Sequence, residues 1–218
     1  MLVQDQMTPD PVTISPDTTF SDAFMLMKKN KLRRLPVVDR HGKLVGIVVE
    51  KDLLRASPSS ASSLSIFEIT HLLSELLVEQ VMSQPVITAP PELPLEEAAS
   101  LMVDQKVGCL PVVRDDKLVG IITQTDIFKA LVEVLGGGHP SIRLTVRVPD
   151  QPGQLAKLAG LVAAEGANIY AVGTFRSRCP DCVAVTMRLE YISRIKVLDL
   201  MKAEGLEVLN LWEPWKRE

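Results

Sequence analysis

The chain has 218 residues, 46% apolar but only 4% aromatic, which allows two modest domains with cores built from aliphatic side chains and Met. A net charge of −3 leaves no basic footprint for nucleic acid as a partner, and apolar runs such as Leu44–Val49 fall short of the roughly 18–20 residues that cross a bilayer. The first seven residues lack the basic flank and apolar stretch of a signal peptide, and three cysteines do not suggest a secreted disulfide framework, so a cytoplasmic protein is expected.

In chain order, Thr13-Ile14 reads as a first short strand. Thr19, with Asp22 three positions on, has capping-box spacing ahead of the helical pattern Phe20, Ala23, Phe24, Met27. Pro36-Val37-Val38 and Leu44–Val49 are β-branched runs on either side of the turn Asp39-Arg40-His41-Gly42, and a second helix closes the unit. Serines between Ser57 and Ser63 predict a flexible bend, and Ser65 to Glu68 opens a linker helix through Leu72, Leu73, Leu76 and Leu77.

The pattern then recurs. Leu35-Pro36-Val37-Val38 returns as Leu110-Pro111-Val112-Val113, Lys43-Leu44-Val45-Gly46 as Lys117-Leu118-Val119-Gly120, and Asp52 as Asp126. Met7, Ala23 and Met27 have counterparts in Met82, Ala98 and Met102. A unit of roughly 50 residues leaves one sheet face uncovered, and a second copy can cover it.

Gly136-Gly137-Gly138 marks a hinge, and the chain beyond it does not repeat the pattern. Residues 142–148 alternate as a half-buried strand, Asp150-Gln151-Pro152-Gly153 turns, and Leu155, Leu158, Val162 and Ala163 line a helix face. A strand runs from Asn168-Ile169 to about Phe175, Val183 to Leu189 alternates again, Ile195, Leu198 and Met201 form a helical stripe, and Leu206 to Leu211 supplies a last strand. The order βαββαβ predicts a ferredoxin-like sheet with both helices on one face. The expected organisation is a first repeat over residues 1–56, bend and linker helix over 57–78, a second repeat over 79–135, hinge over 136–141 and a different domain over 142–218.

The Pro-Val strands and the Gly120-Ile121-Ile122-Thr123 run ending at Asp126 resemble CBS domains, two of which form a Bateman module. Asp150-Gln151-Pro152-Gly153 followed by Asn168-Ile169 resembles an ACT domain. The order of the three is similar to the acetoin utilisation protein AcuB family. The fold class expected is α/β (α+β), with tandem CBS repeats followed by a ferredoxin-like ACT domain.

The CBS resemblance implies an adenine nucleotide (AMP, ADP, ATP or S-adenosylmethionine) bound in clefts between the repeats. Asp126 would accept from the ribose hydroxyls, Thr123 would donate to a phosphate or ribose oxygen at a helix start, and Ile87-Thr88 would hold the adenine. In the first repeat Asp52 and Thr13-Ile14 correspond, but Val49 stands where Thr123 carries a hydroxyl, which weakens that cleft for phosphorylated ligands. Lys31, Arg33, Arg34 and Lys106 are the candidate phosphate clamp. The same residues also read as an ordinary helix cap, for Thr123 with Asp126, and as a solvated basic surface.

The ACT resemblance implies a small effector, often an amino acid, held by Asp150, Gly153 and Asn168 where two such domains associate. A plain turn explains Pro152-Gly153 equally well. Cys179-Pro180-Asp181-Cys182 reads as half a zinc knuckle, a redox pair or two unligated thiols. The three histidines, His41, His71 and His139, belong to no metal or nucleophile motif, and no P-loop or GxGxxG is present, so a non-catalytic sensor is expected. The implied partners are small molecules, a second copy of the chain and a separate regulated protein. Two other readings are a ligand-free dimerisation scaffold and a CxxC metal or redox protein of acetoin metabolism.

Overall fold

A computed structural model describes residues 1–52, 75–177 and 179–213. The predicted bend at Ser57 to Ser63 and the linker-helix positions Ser65, Glu68, His71, Leu72 and Leu73 lie outside these residues. The chain divides into two compact units, residues 1–128 and 129–218. The division falls upstream of the three glycines, within the helix that closes the second repeat.

In the first unit each repeat is built the same way. Helix α1 (Val3–Gln6), which is not expected from the sequence, buries Val3 and leads into strand β1 (Thr8–Pro9). Helix α2 (Phe20–Asn30) starts where Thr19 Oγ1 accepts the Asp22 N–H, and it ends at Lys31, which adopts a left-handed φ of 54°. Phe20, Ala23 and Met27 form its buried stripe. Next comes the hairpin of β2 (Arg34–Val38) and β3 (Leu44–Val49). Its turn is fixed by the Asp39 carboxylate, which accepts the His41 and Lys43 N–H groups at 2.8 and 2.9 Å. These hydrogen bonds, Lys43's foremost, hold the Asp39 carboxyl below the ordinary range.

Residue 75 is helical, the helix ends before Leu76, and a 3₁₀ turn covers Val78–Gln80, so the expected helix does not reach Leu77. Helix α3 (Leu95–Asp104) then buries Leu95, Ala98 and Met102, the counterparts of the α2 stripe. Strands β4 (Cys109–Arg114) and β5 (Lys117–Thr123) form the second hairpin, and helix α4 (Gln124–Val134) closes the repeat.

The predicted first strand of each repeat shrinks to one bridge, Ile14 with Val37 and Ala89 with Val112, both parallel. The opening segment of each repeat instead crosses to the other repeat. β1 pairs with β5, Thr8 opposite Ile121 and Pro9 opposite Gly120. Ser83 pairs with Ile47 of β3, its N–H donating to the Ile47 carbonyl at 2.9 Å. Each hairpin is thus bordered by chain from its partner repeat, and neither repeat is complete alone.

The second unit is a four-stranded antiparallel sheet of β6 (Ile142–Pro149), β7 (Asn168–Arg176), β8 (Cys182–Glu190) and β9 (Glu207–Trp212), in the order β7-β8-β6-β9. Helices α5 (Gln154–Ala164) and α6 (Arg194–Ala203) both pack on one face, where Leu158, Val162, Val197 and Met201 meet Leu144, Val146, Val185, Met187 and Leu189. This is the expected βαββαβ arrangement. The predicted glycine hinge belongs to this unit and lies against its sheet, since a Cβ on Gly136 would come within 2.8 Å of the Tyr170 ring.

Candidate functional site

The crossing of Ser83 onto β3 builds a cleft of about 490 Å³ within the first unit. One wall comes from the first repeat: Arg33 and Arg34 at the start of β2, Ile47 and Val49 of β3, and residues 50–52, which begin a helix. The other wall is extended chain around Val86-Ile87 and the approach to β4 from Lys106 to Cys109. Arg33, Arg34, Lys51 and Lys106 line the cleft against two carboxylates, Glu50 and Asp52. In a chain of net charge −3, this local positive excess selects for an anionic ligand.

Asp52 sits in the first helical turn, where its Oδ2 accepts the Val49 N–H at 3.2 Å. Its counterpart Asp126 is engaged more fully, because Oδ2 accepts both the Thr123 N–H at 3.0 Å and the Thr123 hydroxyl at 2.7 Å. Val49 cannot make that second bond, so the residue expected to weaken the first cleft also leaves the Asp52 carboxylate less committed.

Arg34 is held by a glycine. A Cβ on Gly108 would lie 2.7 Å from Arg34 Nη2, so the guanidinium rests against the bare Cα. Gly108→Ala is expected to push this flexible head aside, changing the melting temperature by less than about 2 °C while weakening binding of a phosphorylated ligand several-fold; paired calorimetric titration and thermal melts check it.

Of the residues expected from sequence, the cleft gathers Asp52, Ile87, Arg33, Arg34 and Lys106. Thr88, one position beyond Ile87, points the other way into a separate hollow beside Lys43 and Asp116, as alternation along extended chain requires. Ile14 is a core residue beside Val37, Thr13 is exposed, and Lys31 caps α2 away from the cleft. Thr123 and Asp126 bond to one another and do not line it. Glu50, Lys51, Gly108 and Cys109 line the cleft without having been expected there. For Cys109 the signal is present in the sequence, because it precedes Leu110-Pro111 as Arg34 precedes Leu35-Pro36.

Cys109 is the free cysteine among the described residues, and Cys179 and Cys182 are joined in a disulfide with Cα atoms 5.2 Å apart. In this oxidised form, which the redox-pair reading also allows, the two sulfurs offer no thiolate to a metal, and a zinc site would need the pair reduced. Among the described residues no three His, Cys, Asp or Glu side chains are placed to hold a metal ion. Burial pushes the Cys109 thiol up, partly opposed by the nearby Arg34 charge. Denatured, unreduced protein should therefore titrate as one thiol per chain. In the native protein that thiol should react slowly near pH 8, faster as pH rises through the thiol range, and more slowly again with the cleft filled.

The structure does not bring the effector candidates together within one chain. Asp150 and Gly153 lie in the turn after β6, at the end of the sheet where Pro149 pairs with Cys182. Asn168 starts β7 at the other end, opposite Glu190, to which its amide donates at 2.6 Å. The eight-residue step from Cys182 to Glu190 separates the two by about 25 Å. Gly153 takes a left-handed φ of 89° at the start of α5, as a turn glycine does.

Among the described residues no helix is long and apolar enough to cross a membrane. The CBS domain family matches residues 3–59 and 78–133. A crystal structure described as an acetoin utilization protein (AcuB) from Vibrio cholerae is 38% identical, with a TM-score of 0.53 over 62% of this chain and 93% of that one. The CBS domain pair of protein MJ0100, in complex with 5′-methylthioadenosine and S-adenosyl-L-methionine, is 30% identical with a TM-score of 0.50, covering 60% of this chain and 95% of that one. CBSX2 in complex with AMP is 32% identical with a TM-score of 0.51, covering 61% and 97%.

Proposed function

We propose that this chain, which belongs to the CBS-domain family, is a non-catalytic cytoplasmic sensor that binds an adenine nucleotide between Arg33, Arg34, Asp52, Ile87 and Lys106. The observation that carries the reading is the cleft itself, apolar at Ile47, Val86 and Ile87, cationic at Arg33, Arg34, Lys51 and Lys106, with the Asp52 carboxylate at a helix start. The chemistry fits an adenosine phosphate. Asp52 would accept from the ribose hydroxyls, the two arginines and Lys106 would face the phosphate, and the apolar segment at Val86-Ile87 would cover the base. Similarity to the MJ0100 pair and to CBSX2, solved with adenosine ligands, supports the same class here.

The test is thermal unfolding of the full chain with AMP, ADP, ATP and S-adenosylmethionine. At a hundredfold excess over Kd the ligand should add about 2.7 kcal/mol of stability. No response to any of the four would sink the reading. The Thr123–Asp126 side is proposed as a second, weaker position, because Asp126 Oδ2 already accepts both the Thr123 N–H and its hydroxyl.

The second unit is proposed to be an ACT domain, supported by its βαββαβ order and by Asp150-Gln151-Pro152-Gly153. With Asp150 and Gly153 at one end of the sheet and Asn168 at the other, a shared effector site needs two copies, hence a homodimer. Light scattering of the purified chain checks the dimer, and an amino-acid panel in the same melts checks the effector. Ligand binding reaches a separate regulated protein if two conformations of the sensor bind the ligand unequally.

A further inference from the structure

The face of the second sheet that carries no helix holds an unbalanced pair of charges. Alternation places Arg143, Thr145 and Arg147 of β6 and Ala184, Thr186, Arg188 and Glu190 of β8 on that face, opposite the core set, with the Glu190 carboxylate accepting the Asn168 amide. Thr145 and Thr186 are buried there, 6% and 7% exposed, with their hydroxyls 2.6 Å apart. Chain leaving α4 lies over part of the face: Arg188 Nε donates to the Leu135 carbonyl at 3.3 Å, and Gly136 lies against Tyr170 and Ala171.

The three arginines differ in how they are answered. Arg147 is neutralised by Glu207 at 2.6 Å and also donates to Ser177. Arg143 and Arg188 are direct partners in the β6–β8 register, and among the described residues neither meets a carboxylate. Arg143 donates to the Thr145 hydroxyl at 3.3 Å. Arg188 lies over the Trp212 ring at 5.4 Å, and its Nη1 is buried without an acceptor. Burial first, and then the Arg143 charge, hold the Arg188 guanidinium below its ordinary pKa. Like charges directly opposed across strands oppose folding, and a buried donor without an acceptor adds to the cost.

We propose that Arg143 and Arg188 together receive an oxyanion, the carboxylate or phosphate group of a small metabolite, on this face of the second unit. An oxyanion offers several acceptors to two forked donors and removes their repulsion in the same step. Trp212 bounds the patch on the β9 side, the buried Thr145–Thr186 pair forms its floor, and the Leu135 segment limits it beyond Arg188, which suits a small group better than a broad surface. The site is distinct from the nucleotide cleft and does not depend on it.

Trp212 makes the site visible, since the chain has two tryptophans, Trp212 and Trp215. In the full chain carrying Trp215→Phe, indole fluorescence is followed during titration with sodium malonate and, separately, sodium phosphate, with sodium chloride at matched ionic strength as reference. A saturable change with at least one oxyanion and none with chloride is expected, and whichever arm responds more tightly identifies a carboxylate or a phosphate. Arg143→Gln should weaken that response at least tenfold, and in chloride its melting temperature should stay equal or rise, where a merely structural arginine would lower it. No saturable response to either oxyanion, a response matched by chloride, or one unchanged in Arg143→Gln overturns the proposal.

Discussion

Replacing Asp52 with alanine should reduce AMP affinity about a hundredfold, whereas replacing Asp126 should cost more stability than affinity. Each hydrogen bond to an ionised group contributes about 1.5–3 kcal/mol, so two lost ribose contacts come to about 3 kcal/mol after partial replacement by water, on the order of a hundred in Kd. The stability effects run in the opposite order. Asp52 caps its helix through one bond, to the Val49 N–H, while Asp126 holds both the N–H and the hydroxyl of Thr123. Loss of a cap costs about 0.5–2 kcal/mol, and Asp126→Ala belongs at the upper end because it also strands the Thr123 hydroxyl. Calorimetric titration with AMP and chemical unfolding of both variants separate these effects. If Asp126→Ala loses affinity and Asp52→Ala keeps it, the ligand uses the other side of the repeat pair and the cleft assignment falls.

That contrast shows where the sequence is legible and where it is not. Both helical stripes are legible, because Phe20, Ala23, Met27 and Leu95, Ala98, Met102 repeat the 3.6-residue period whatever their surroundings. The two hairpins and the βαββαβ order are legible for the same local reasons. The exchange of opening segments is not. Nothing in Met7 or Ser83 announces that its neighbours pair with the other repeat's hairpin, since that pairing is long-range and set by how two sheets complete each other. Ile14, expected at the ligand, therefore packs in the core instead, and Thr88 parts from Ile87 because one step along extended chain reverses the side chain. Thr123 illustrates a different limit. A hydroxyl three residues before an aspartate serves a ligand or serves that aspartate, and the residue order is the same in both cases. In the second unit, two arginines in separate strands show their conflict only when the β6–β8 register sets Arg143 opposite Arg188.

The exchange of segments also sets the largest expected loss of stability. Gly120→Val should destabilise the first unit by about 3 kcal/mol, at the upper end of what overpacking a core costs. A Cβ at Gly120 would fall 3.1 Å from Met7 Cγ, nearly upon the Met7 sulfur, and 3.1 Å from the Thr8 carbonyl oxygen. At Gly46, the mirror position, the three nearest atoms all belong to the Met82 side chain, whose Cγ would lie 2.9 Å away. A methionine can yield, whereas a strand carbonyl yields only by breaking the β1–β5 pairing. Two double-mutant cycles distinguish these cases. In a Met82→Ala background most of the cost of Gly46→Ala should vanish. In a Met7→Ala background Gly120→Ala should remain destabilising, because the Thr8 carbonyl stays in place. Position carries the effect through to function. Gly46 adjoins Ile47, which pairs with Ser83, and both Ile47 and Ser83 line the cleft. Gly46→Val should therefore abolish AMP binding at temperatures where the variant remains folded, while an equally destabilising change buried in α2, such as Met27→Ala, should leave the affinity of the folded fraction intact. Equal affinity in both variants would mean that the exchanged segment does not shape the binding site.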